Sequence, residues 1–256
     1  MDAEAQPAIA FRNVSYSVPG APQILRDLSL DVRRGETLVL LGRSGSGKTT
    51  SLKLINHLLV PTHGEVLVDG RSTREWDPIR LRRMIGYVIQ DIGLLPHFTI
   101  ERNIGLVPKL EHWPAARIRE RVAELMKLVG LDQQLAARYP RELSGGQRQR
   151  VGVARALAAD PQFLLMDEPF GALDPITRNE LQHEFLNLQK RLNKTVVFVT
   201  HDVREALLLA TRIALMEAGK LVTIATPKEF VKSTHPLIAA YLAAFNAVVD
   251  HPRGTS

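Results

Sequence analysis

One glycine-rich stretch limits what this chain can fold into more than any other feature. Residues 42–49 read Gly-Arg-Ser-Gly-Ser-Gly-Lys-Thr, which is the phosphate-binding loop pattern Gly-x-x-x-x-Gly-Lys-Thr. The apolar run from Thr37 to Leu41 predicts a buried strand before the loop, and the apolar spacing after it predicts a helix from Thr49 to Leu59. A loop of this kind between a strand and a helix predicts an α/β fold.

The chemistry expected at this loop is the binding of a nucleoside triphosphate. A glycine-rich backbone can turn several N–H groups toward one point, and the helix that follows adds the positive end of its dipole. Lys48 can place its ammonium on the outer phosphates, and the hydroxyl of Thr49 can coordinate Mg²⁺. The alternative is a surface loop rich in Gly and Ser. The predicted nucleotide-binding residues are Gly42, Arg43, Ser44, Gly45, Ser46, Gly47, Lys48, Thr49 and Thr50.

The composition fits one large α/β domain. Of the 256 residues, 45% are hydrophobic and 23% are charged, which is usual for a globular protein with a sizeable core. The absence of cysteine excludes disulfides and thiolate-bound zinc. No run approaches the roughly 18 apolar residues of a membrane span. The net charge of +6 is compatible with nucleic acid, an acidic membrane surface, a phosphate ligand, or a mildly basic surface without such a partner.

The first half of the chain contains two kinds of segment. Short strands at 9–18, 28–32 and 66–68, separated by turns, predict an N-terminal antiparallel β subdomain. The range from about 90 to 140 has no convincing strand but contains an amphipathic helix from Trp113 to Gly130. We therefore predict an α-helical subdomain inserted between strands of the sheet.

After Arg141 the predicted helices and strands alternate. The strands Phe163 to Met166 and Thr195 to Thr200 each follow or precede a helical segment, which is the rhythm of a parallel sheet. The predicted fold class is therefore α/β, as in P-loop NTPases, with a mixed or parallel central sheet.

Two carboxylates directly follow the predicted strand that ends at Met166. An acidic residue at a strand end beside a phosphate loop can hold Mg²⁺, directly or through water, and we predict this role for Asp167. Glu168 can then point toward a water aligned on the γ-phosphate and act as a general base. The alternative is an acidic pair that caps the next helix.

A second helix start carries the sequence Leu143-Ser-Gly-Gly-Gln147. Ser144 is a favourable N-cap residue, and the glycines leave backbone N–H groups accessible. This stretch is either a simple capped helix start or a second phosphate-binding helix end, which would serve a nucleotide held by another subunit. The residues predicted to contact that nucleotide are Ser144, Gly145, Gly146 and Gln147.

Together these motifs resemble the ATP-binding subunits of ABC transporters. The resemblance implies an ATPase that uses ATP and Mg²⁺, with one ATP-binding domain over residues 8–247 and a frayed tail over residues 248–256. It covers residues 9–245 and is carried, in the order of that family, by the phosphate loop, Gln90, Leu143 to Gln147, Phe163 to Glu168, Ala172-Leu-Asp174 and His201.

The resemblance also implies roles for residues outside these loops. Tyr16 is similar to the aromatic residue that stacks on adenine, with a core tyrosine at a strand end as the alternative. Gln90 resembles the residue that reaches Mg²⁺ and the attacking water, and His201 resembles the histidine that contacts the γ-phosphate. Asp174 resembles the residue that links two sites across a head-to-tail dimer of identical subunits. The implied catalytic residues are Lys48, Gln90, Glu168 and His201, and the implied metal ligands are Thr49, Gln90 and Asp167.

Finer similarity points to the uptake of quaternary amines. The stretch from Gly86 to His97 is most similar to subunits that power import of glycine betaine and choline, although Asp91 differs from the glutamine expected there. Many members of that group carry regulatory CBS modules after the ATPase, and this chain, which ends at Ser256, is expected to lack them. The implied partners are membrane permease subunits and, indirectly, a substrate-binding protein, at the cytoplasmic face of the inner membrane.

Two other functions stay open at this point. An ATPase that acts on nucleic acid would need a long coiled coil or a second cassette, and since the sequence has neither, we expect no nucleic acid among the partners. An export ATPase is the other alternative. Transport of either kind predicts a groove in the helical subdomain for a short permease helix. Its expected apolar residues are Ile92, Leu94, Leu95 and Phe98, unless they pack inside the subdomain.

Overall fold

The computed structural model of the protein describes residues 6–90 and 92–249, with side chains up to residue 243. Asp91 and residues 250–256 of the predicted tail lie outside the described residues, whereas residues 248 and 249 end a helix. The strands are β1 Ile9–Tyr16, β2 Leu25–Val32, β3 Thr37–Leu41, β4 His63–Val68, β5 Arg71–Ser72, β6 Ile85–Val88, β7 Phe163–Asp167, β8 Thr195–Thr200, β9 Arg212–Glu217 and β10 Lys220–Ala225. The helices are α1 Lys48–Ile55, α2 Pro78–Arg83, α3 Ile100–Ile104, α4 Leu106–Leu110, α5 Ala115–Leu128, α6 Gly145–Leu157, α7 Pro175–Leu192, α8 Val203–Leu209, α9 Pro227–Lys232 and α10 Pro236–Val249.

A six-stranded sheet of order β10-β9-β3-β8-β7-β6 forms the centre of the molecule. Its strands run parallel except β10, which pairs antiparallel with β9 at one edge. β3 is buried on both faces, because Val39 and Leu41 belong to one hydrophobic core while Leu38 and Leu40 belong to the other. A strand covered on both sides needs a continuous apolar run, which is what the sequence before the phosphate loop contains. The predicted mixed sheet is confirmed.

A four-stranded antiparallel sheet of order β2-β1-β4-β5 packs against one side of this centre. Phe11 and Val14 of β1 share a core with Leu52 and Ile55 of α1, and with Leu40 of β3. The helix that follows the phosphate loop is therefore held between the two sheets. The predicted N-terminal antiparallel sheet is confirmed.

Between β6 and β7 the described residues form helices and no strand. The helices α3, α5 and α6 contact one another around Ile104, Leu125 and Met126. Buried Asn103 fixes the segment before α3, because its side-chain amide accepts from the Leu95 N–H and donates to backbone carbonyls of residues 95, 98 and 99. The predicted helical insertion is present in the fold, and the domain bounds 8–247 stay a prediction.

The structure corrects several local predictions. The helix after the phosphate loop ends at Ile55 instead of Leu59, and His57 beyond it has a left-handed backbone with φ of 54°. The helices α3 and α4 are short and meet at Gly105. The strand β10 and the helix α2 were not predicted, since the first is only half-buried and the second has only six residues, three of them arginine.

The C-terminal helices cover the side of the sheet next to β9. α10 contacts α8 and α9, and its residue Ile238 is buried. Among the described residues, no helix combines the length and the apolar character that crossing a bilayer requires.

Candidate nucleotide-binding site

The predicted site residues follow the carboxyl ends of neighbouring parallel strands. The phosphate loop follows β3, His201 follows β8, Asp167 ends β7 with Glu168 directly after it, and Gln90 follows β6. Because β3, β8, β7 and β6 are adjacent and parallel, their carboxyl ends meet at one edge of the sheet, where ligands bind in open α/β folds. Residues far apart in sequence are thereby brought to one place.

The phosphate loop takes a conformation that depends on its glycines. Gly45 and Gly47 have φ of 80° and 95°, in the left-handed region that residues with a side chain avoid. A Cβ at Gly42 would overlap the carbonyl oxygen of Met216, so the loop also lies tightly against the end of β9. Gly47 is the N-cap of α1, and within the described chain no side chain caps this helix. The loop therefore directs a helix start without its own cap toward the site.

Lys48 lies under the loop and has no carboxylate bonded to it in the described structure. It is 4% exposed, and its Nζ donates to the carbonyl oxygens of Gly42 at 2.8 Å and Arg43 at 2.9 Å. Burial lowers the pKa of Lys48, while the charges of Glu168 and Asp167 oppose that shift. A buried ammonium that bonds only to neutral carbonyls is well placed to receive an anion.

Thr49 and Asp167 form the second part of the site. The Thr49 hydroxyl donates to Asp167 Oδ1 at 2.9 Å. Burial raises the pKa of Asp167, and the Glu168 charge adds to this, whereas the bond from Thr49 and the charges of Lys53 and Lys48 lower it. A hydroxyl beside a carboxylate is the oxygen pair that a Mg²⁺ ion prefers.

Tyr87 on β6 is a neighbour of Asp167 that the sequence analysis missed. Burial raises the pKa of Tyr87, and the charge of Asp167 and a hydrogen bond to it add to the shift. The phenol therefore stays protonated beside the carboxylate. Tyr87 is half-buried within a short apolar strand, so the local pattern marks it as a core residue only.

Glu168 and His201 form a third pair. Glu168 Oε2 lies 3.0 Å from His201 Nδ1, and their side chains are 19% and 62% exposed. Glu168 has a left-handed backbone with φ of 43°, and its N–H donates to the Val199 carbonyl at 3.0 Å. This backbone bond ties the end of β7 to β8.

These groups surround an open cleft of about 760 Å³. Gln90, Glu168, His201 and most of the phosphate loop line it, whereas Gly42, Ser46 and Asp167 lie behind its surface. The Ser46 hydroxyl is buried and has no hydrogen-bond partner among the described residues. The lining residues are Ile24, Arg43, Ser44, Gly45, Gly47, Lys48, Thr49, Thr50, Gln90, Glu168, His201 and Tyr241.

Two of these lining residues, Ile24 and Tyr241, were not predicted. Ile24 precedes β2, and its backbone N–H donates to the carbonyl oxygen of Tyr16 at 2.9 Å. Tyr16 is itself half-buried against the core and is not among the lining residues, so its contact with adenine stays a prediction. Tyr241 belongs to α10, close to the end of the described chain, and no motif marks it.

The residues predicted to act on a second nucleotide lie outside the cleft. Ser144 caps α6, because its Oγ accepts from the Gln147 N–H at 3.2 Å while Gln147 Oε1 accepts from the Ser144 N–H at 2.9 Å. A Cβ at Gly146 would come within 2.6 Å of Thr177 Cγ2, so this glycine permits the start of α7 to approach. Asp174 is the N-cap of α7 and is exposed. This surface is therefore built from two capped helix starts.

A second, larger cavity of about 870 Å³ lies on the helical subdomain. Of the four apolar residues predicted for a docking groove, only Phe98 lines it. Leu94 packs against the core, and Ile92 lies against Gly152. Leu94 and Ile92 thus contact other parts of the chain, as the alternative expected, and a docking role for the four residues stays a prediction. The cavity is lined by Phe98, Glu101, Arg102, Gly105, Leu106, Lys109, Leu110, His112 and Ile118.

The residues present fit a nucleoside triphosphate with its metal ion. The loop offers an uncapped helix start, a buried ammonium and an unpartnered Ser46 hydroxyl, and the Thr49–Asp167 pair offers oxygen ligands. A family model described as ABC transporter matches residues 25–171. The chain belongs to the ABC transporter family. The geometry of the cleft and the similarity of the sequence therefore lead to the same assignment, and the P-loop fold is confirmed.

Relatives within the ABC family cover most of this chain. The glycine betaine/carnitine/choline transport ATP-binding protein OpuCA of Bacillus subtilis is 52% identical over 225 residues, which are 88% of this chain and 59% of OpuCA. The glycine betaine uptake system ATP-binding protein YehX of Escherichia coli is 52% identical over 219 residues, 86% of this chain and 71% of YehX. The osmoprotectant import ATP-binding protein OsmV of Salmonella typhimurium is 53% identical over 206 residues, 80% of this chain and 54% of OsmV. The chain thus spans about three-fifths of the length of OpuCA.

Solved structures of ABC cassettes have the same fold. A dimeric structure of MJ0796, a bacterial ABC transporter cassette, superposes with a TM-score of 0.77 at 34% identity, over 86% of this chain and 98% of that one. Another dimeric structure of MJ0796, in a post-hydrolysis state bound to ADP and Pi, gives a TM-score of 0.76. The structure of cbiO1 from Clostridium perfringens, part of the ABC transporter complex cbiONQ, gives 0.83 at 25% identity over 96% of this chain and 100% of that one.

Proposed function

We propose that this chain is the ATP-hydrolysing subunit of an ABC importer for quaternary amine osmoprotectants. The observation that carries the proposal is the assembly of the phosphate loop, Asp167, Glu168, His201 and Gln90 around one cleft at the carboxyl edge of the sheet. The names of OpuCA, YehX and OsmV support the substrate class.

The phosphate loop holds the triphosphate in this proposal. Lys48 exchanges its bonds to the Gly42 and Arg43 carbonyls for bonds to the outer phosphates, since an ammonium gains more from an anion than from a neutral carbonyl. The uncapped start of α1 offers its N–H groups and its dipole to the same anion. Mg²⁺, held by Thr49, Asp167 and Gln90, would neutralise charge on the phosphates when bound.

Hydrolysis depends on Glu168 and His201. The carboxylate of Glu168 lines the cleft and accepts a proton from the water that attacks the γ-phosphate. His201, 3.0 Å from Glu168 Oε2, orients that carboxylate and contacts the γ-phosphate. The Thr49 hydroxyl holds the neighbouring Asp167 by a hydrogen bond, so the two carboxylates have separate roles.

Two copies of the chain close the site head to tail. The cleft of one copy is open to solvent, while Ser144 and Asp174 are exposed outside that cleft on the same copy. A second chain can bring its α6 start onto the open side and exclude water from the rest of the site. The dimeric structures of the similar cassette MJ0796 support this arrangement.

Transport requires membrane permease subunits, which we propose contact the cavity on the helical subdomain. Leu106, Leu110 and Ile118 give it an apolar floor, and Leu110 is 54% exposed. A short amphipathic helix of a permease can cover such residues. The chain then lies peripherally on the cytoplasmic face of the inner membrane, and a substrate-binding protein delivers the quaternary amine to the permease.

The first test concerns nucleotide. We expect Lys48→Ala to weaken ATP binding about hundredfold or more, because several charge-assisted bonds are lost together. Isothermal titration of the purified chain with ATP measures the effect. Wild-type affinity in the Lys48→Ala chain would contradict the role of the loop.

The second test concerns transport, in vesicles that contain the complex of this chain with its permease. We expect ATP-driven uptake of radiolabelled glycine betaine, and we expect Leu110→Glu to abolish it while the ATPase activity of the isolated chain stays unchanged. Val231→Glu is the matched control, because Val231 is 55% exposed on α9, outside the cavity. Equal uptake by the Leu110→Glu and wild-type complexes would contradict the docking surface. Failure of the wild-type complex to carry any quaternary amine would contradict the substrate class only.

A further inference from the structure

A buried carboxylate stands four residues after His201. It belongs to Glu205 in the first turn of α8, which is 4% exposed and does not line the cleft. Burying a carboxylate costs free energy unless its oxygens are hydrogen-bonded, so the groups that bond to Glu205 indicate what it holds.

The two oxygens of Glu205 accept hydrogen bonds from two different elements. The Thr200 hydroxyl donates to Glu205 Oε2 at 2.5 Å, and the side-chain amide of Gln182 donates to Glu205 Oε1 at 3.0 Å. Both donors are buried. The carboxylate therefore joins the end of β8 to α7 inside the core, where water does not compete for these bonds.

Thr200 is the residue directly before His201. β8 ends at Thr200 and α8 begins at Val203, so His201 lies in the two-residue connection between them. Thr200 Oγ1 also accepts from the Asp202 N–H at 2.9 Å, which closes the turn that contains His201. Because this hydroxyl donates to Glu205 while it accepts from Asp202, the turn is fixed relative to α8.

The same helix α7 also holds the chain that follows Glu168. Arg178 donates to the backbone carbonyls of residues 170, 171 and 173 at 3.1, 3.2 and 3.1 Å. Arg178 and Gln182 are four residues apart and therefore lie on the same face of α7. One helix face is thus bonded to the segment after Glu168 and, through Glu205, to the turn of His201.

We propose that Glu205 is a positioning residue for ATP hydrolysis, which keeps His201 at hydrogen-bond distance from Glu168 by tying Thr200 to α7. This inference rests on the proposed function, since it concerns the same hydrolysis. Glu205 acts through His201 and does not contact the nucleotide. The alternative is a buried polar contact that only joins α7 to α8.

The test measures hydrolysis and ATP affinity separately. Glu205→Met keeps the length of the side chain but removes both acceptors. We expect kcat to fall about tenfold to hundredfold, because a displaced His201 no longer orients Glu168, while ATP affinity stays within about twofold. Glu205→Gln, which keeps one acceptor oxygen, should lose less activity than Glu205→Met.

Glu36→Met is the matched control for a loss of stability. Glu36 is also buried and bonded, to Arg212, but it lies directly before β3, at the opposite end of that strand from the phosphate loop. This change should lower the melting temperature without lowering kcat at a temperature where the chain is folded.

A double substitution separates positioning from stability. In a chain that already carries His201→Ala, Glu205→Met should slow hydrolysis no further, because the residue that it positions is gone. Thr200→Val removes the hydroxyl donor and should behave in the same way, which keeps the test available if Glu205→Met does not fold. Single-turnover assays with excess chain measure the slow rates.

Two results would overturn the inference and leave Glu205 as a contact between helices. One is a kcat that neither Glu205→Met nor Thr200→Val changes. The other is a loss of activity in the His201→Ala chain as large as in the wild-type chain. If the wild-type chain bound ATP but hydrolysed none, the proposed function would fail instead.

Discussion

Two helices of this chain begin at glycine-rich motifs, and their first turns differ. α1 begins at buried Lys48 behind the left-handed Gly47, and no side chain in the described part of the chain caps it. α6 begins at Gly145, where Ser144 and Gln147 cap each other's backbone N–H groups. The first helix start lies at the base of the cleft, and the second is at the surface outside it.

The difference indicates what each helix start needs. An uncapped helix start leaves backbone N–H groups unsatisfied, and an anion stabilises it. The start of α1 is therefore suited to an anionic ligand bound in the cleft of its own chain. A capped start is stable by itself, so α6 can stand exposed until another surface meets it. We infer that one chain is enough to bind ATP, whereas closing the site around the ATP and hydrolysing it require α6 of a second chain.

Among the changes that test this difference between binding and hydrolysis, Glu168→Gln should have the largest effect. The variant should bind ATP normally but hydrolyse it about 10²–10⁴ times more slowly, because the general base is lost. Uncleaved ATP should then hold two chains together, which size measurement in ATP and Mg²⁺ detects. Glu180→Gln, at an exposed position on α7, is the control. A Glu168→Gln chain that stays single in ATP and hydrolyses it at the wild-type rate would contradict both assignments.

A negative charge at the start of α6 should separate binding from closure. Gly145→Asp should reduce hydrolysis about hundredfold, as when a stabilising donor at a reacting phosphate is lost, while single-chain ATP affinity stays within about twofold. The fold has room for the change, because a Cβ at Gly145 meets Leu173 at 3.7 Å, and an acidic residue suits a helix start.

Gly145→Ala, which adds bulk without charge, should lose less activity than Gly145→Asp. The two variants are compared by ATPase rate and by ATP titration. If Gly145→Asp weakened ATP binding by the single chain as much as it slowed hydrolysis, α6 would belong to the cleft of its own chain, and the comparison would be wrong.

The smallest effect is expected from the cap itself. Ser144→Ala should lower the free energy of unfolding by about 1 kcal/mol, because the first turn of α6 loses a bond. Thr226→Ala removes the equivalent cap of α9, which also has a capping box, and should cost about the same. Urea denaturation measures both. If Ser144 also contacts a phosphate of the ATP held by the second chain, Ser144→Ala should reduce the ATPase rate and Thr226→Ala should not. Equal rates for the two variants would mean that Ser144 acts only as a helix cap.

The sequence predicted the elements with strong local signals. β8 has the predicted bounds, and Ser144 is the N-cap of α6 as expected. β10 was not predicted, because an edge strand that is half-buried along its length has no clear alternation of apolar and polar residues. The helix after the phosphate loop was predicted too long, since Leu58 and Leu59 continue the apolar spacing after the backbone has turned at His57.

By itself the sequence determined the phosphate loop, its strand and helix, the acidic strand end and the signature of a capped α6, because each depends on neighbours in the chain. Only the tertiary structure decided that Gln90, Glu168 and His201 share one cleft, since that follows from the order β3-β8-β7-β6. It also placed Ile24 and Tyr241 in the cleft wall, Leu94 against the core and Ile92 against Gly152. The order of the strands and the position of a helix are determined by packing between residues far apart in sequence. The local sequence pattern contains no information on that packing.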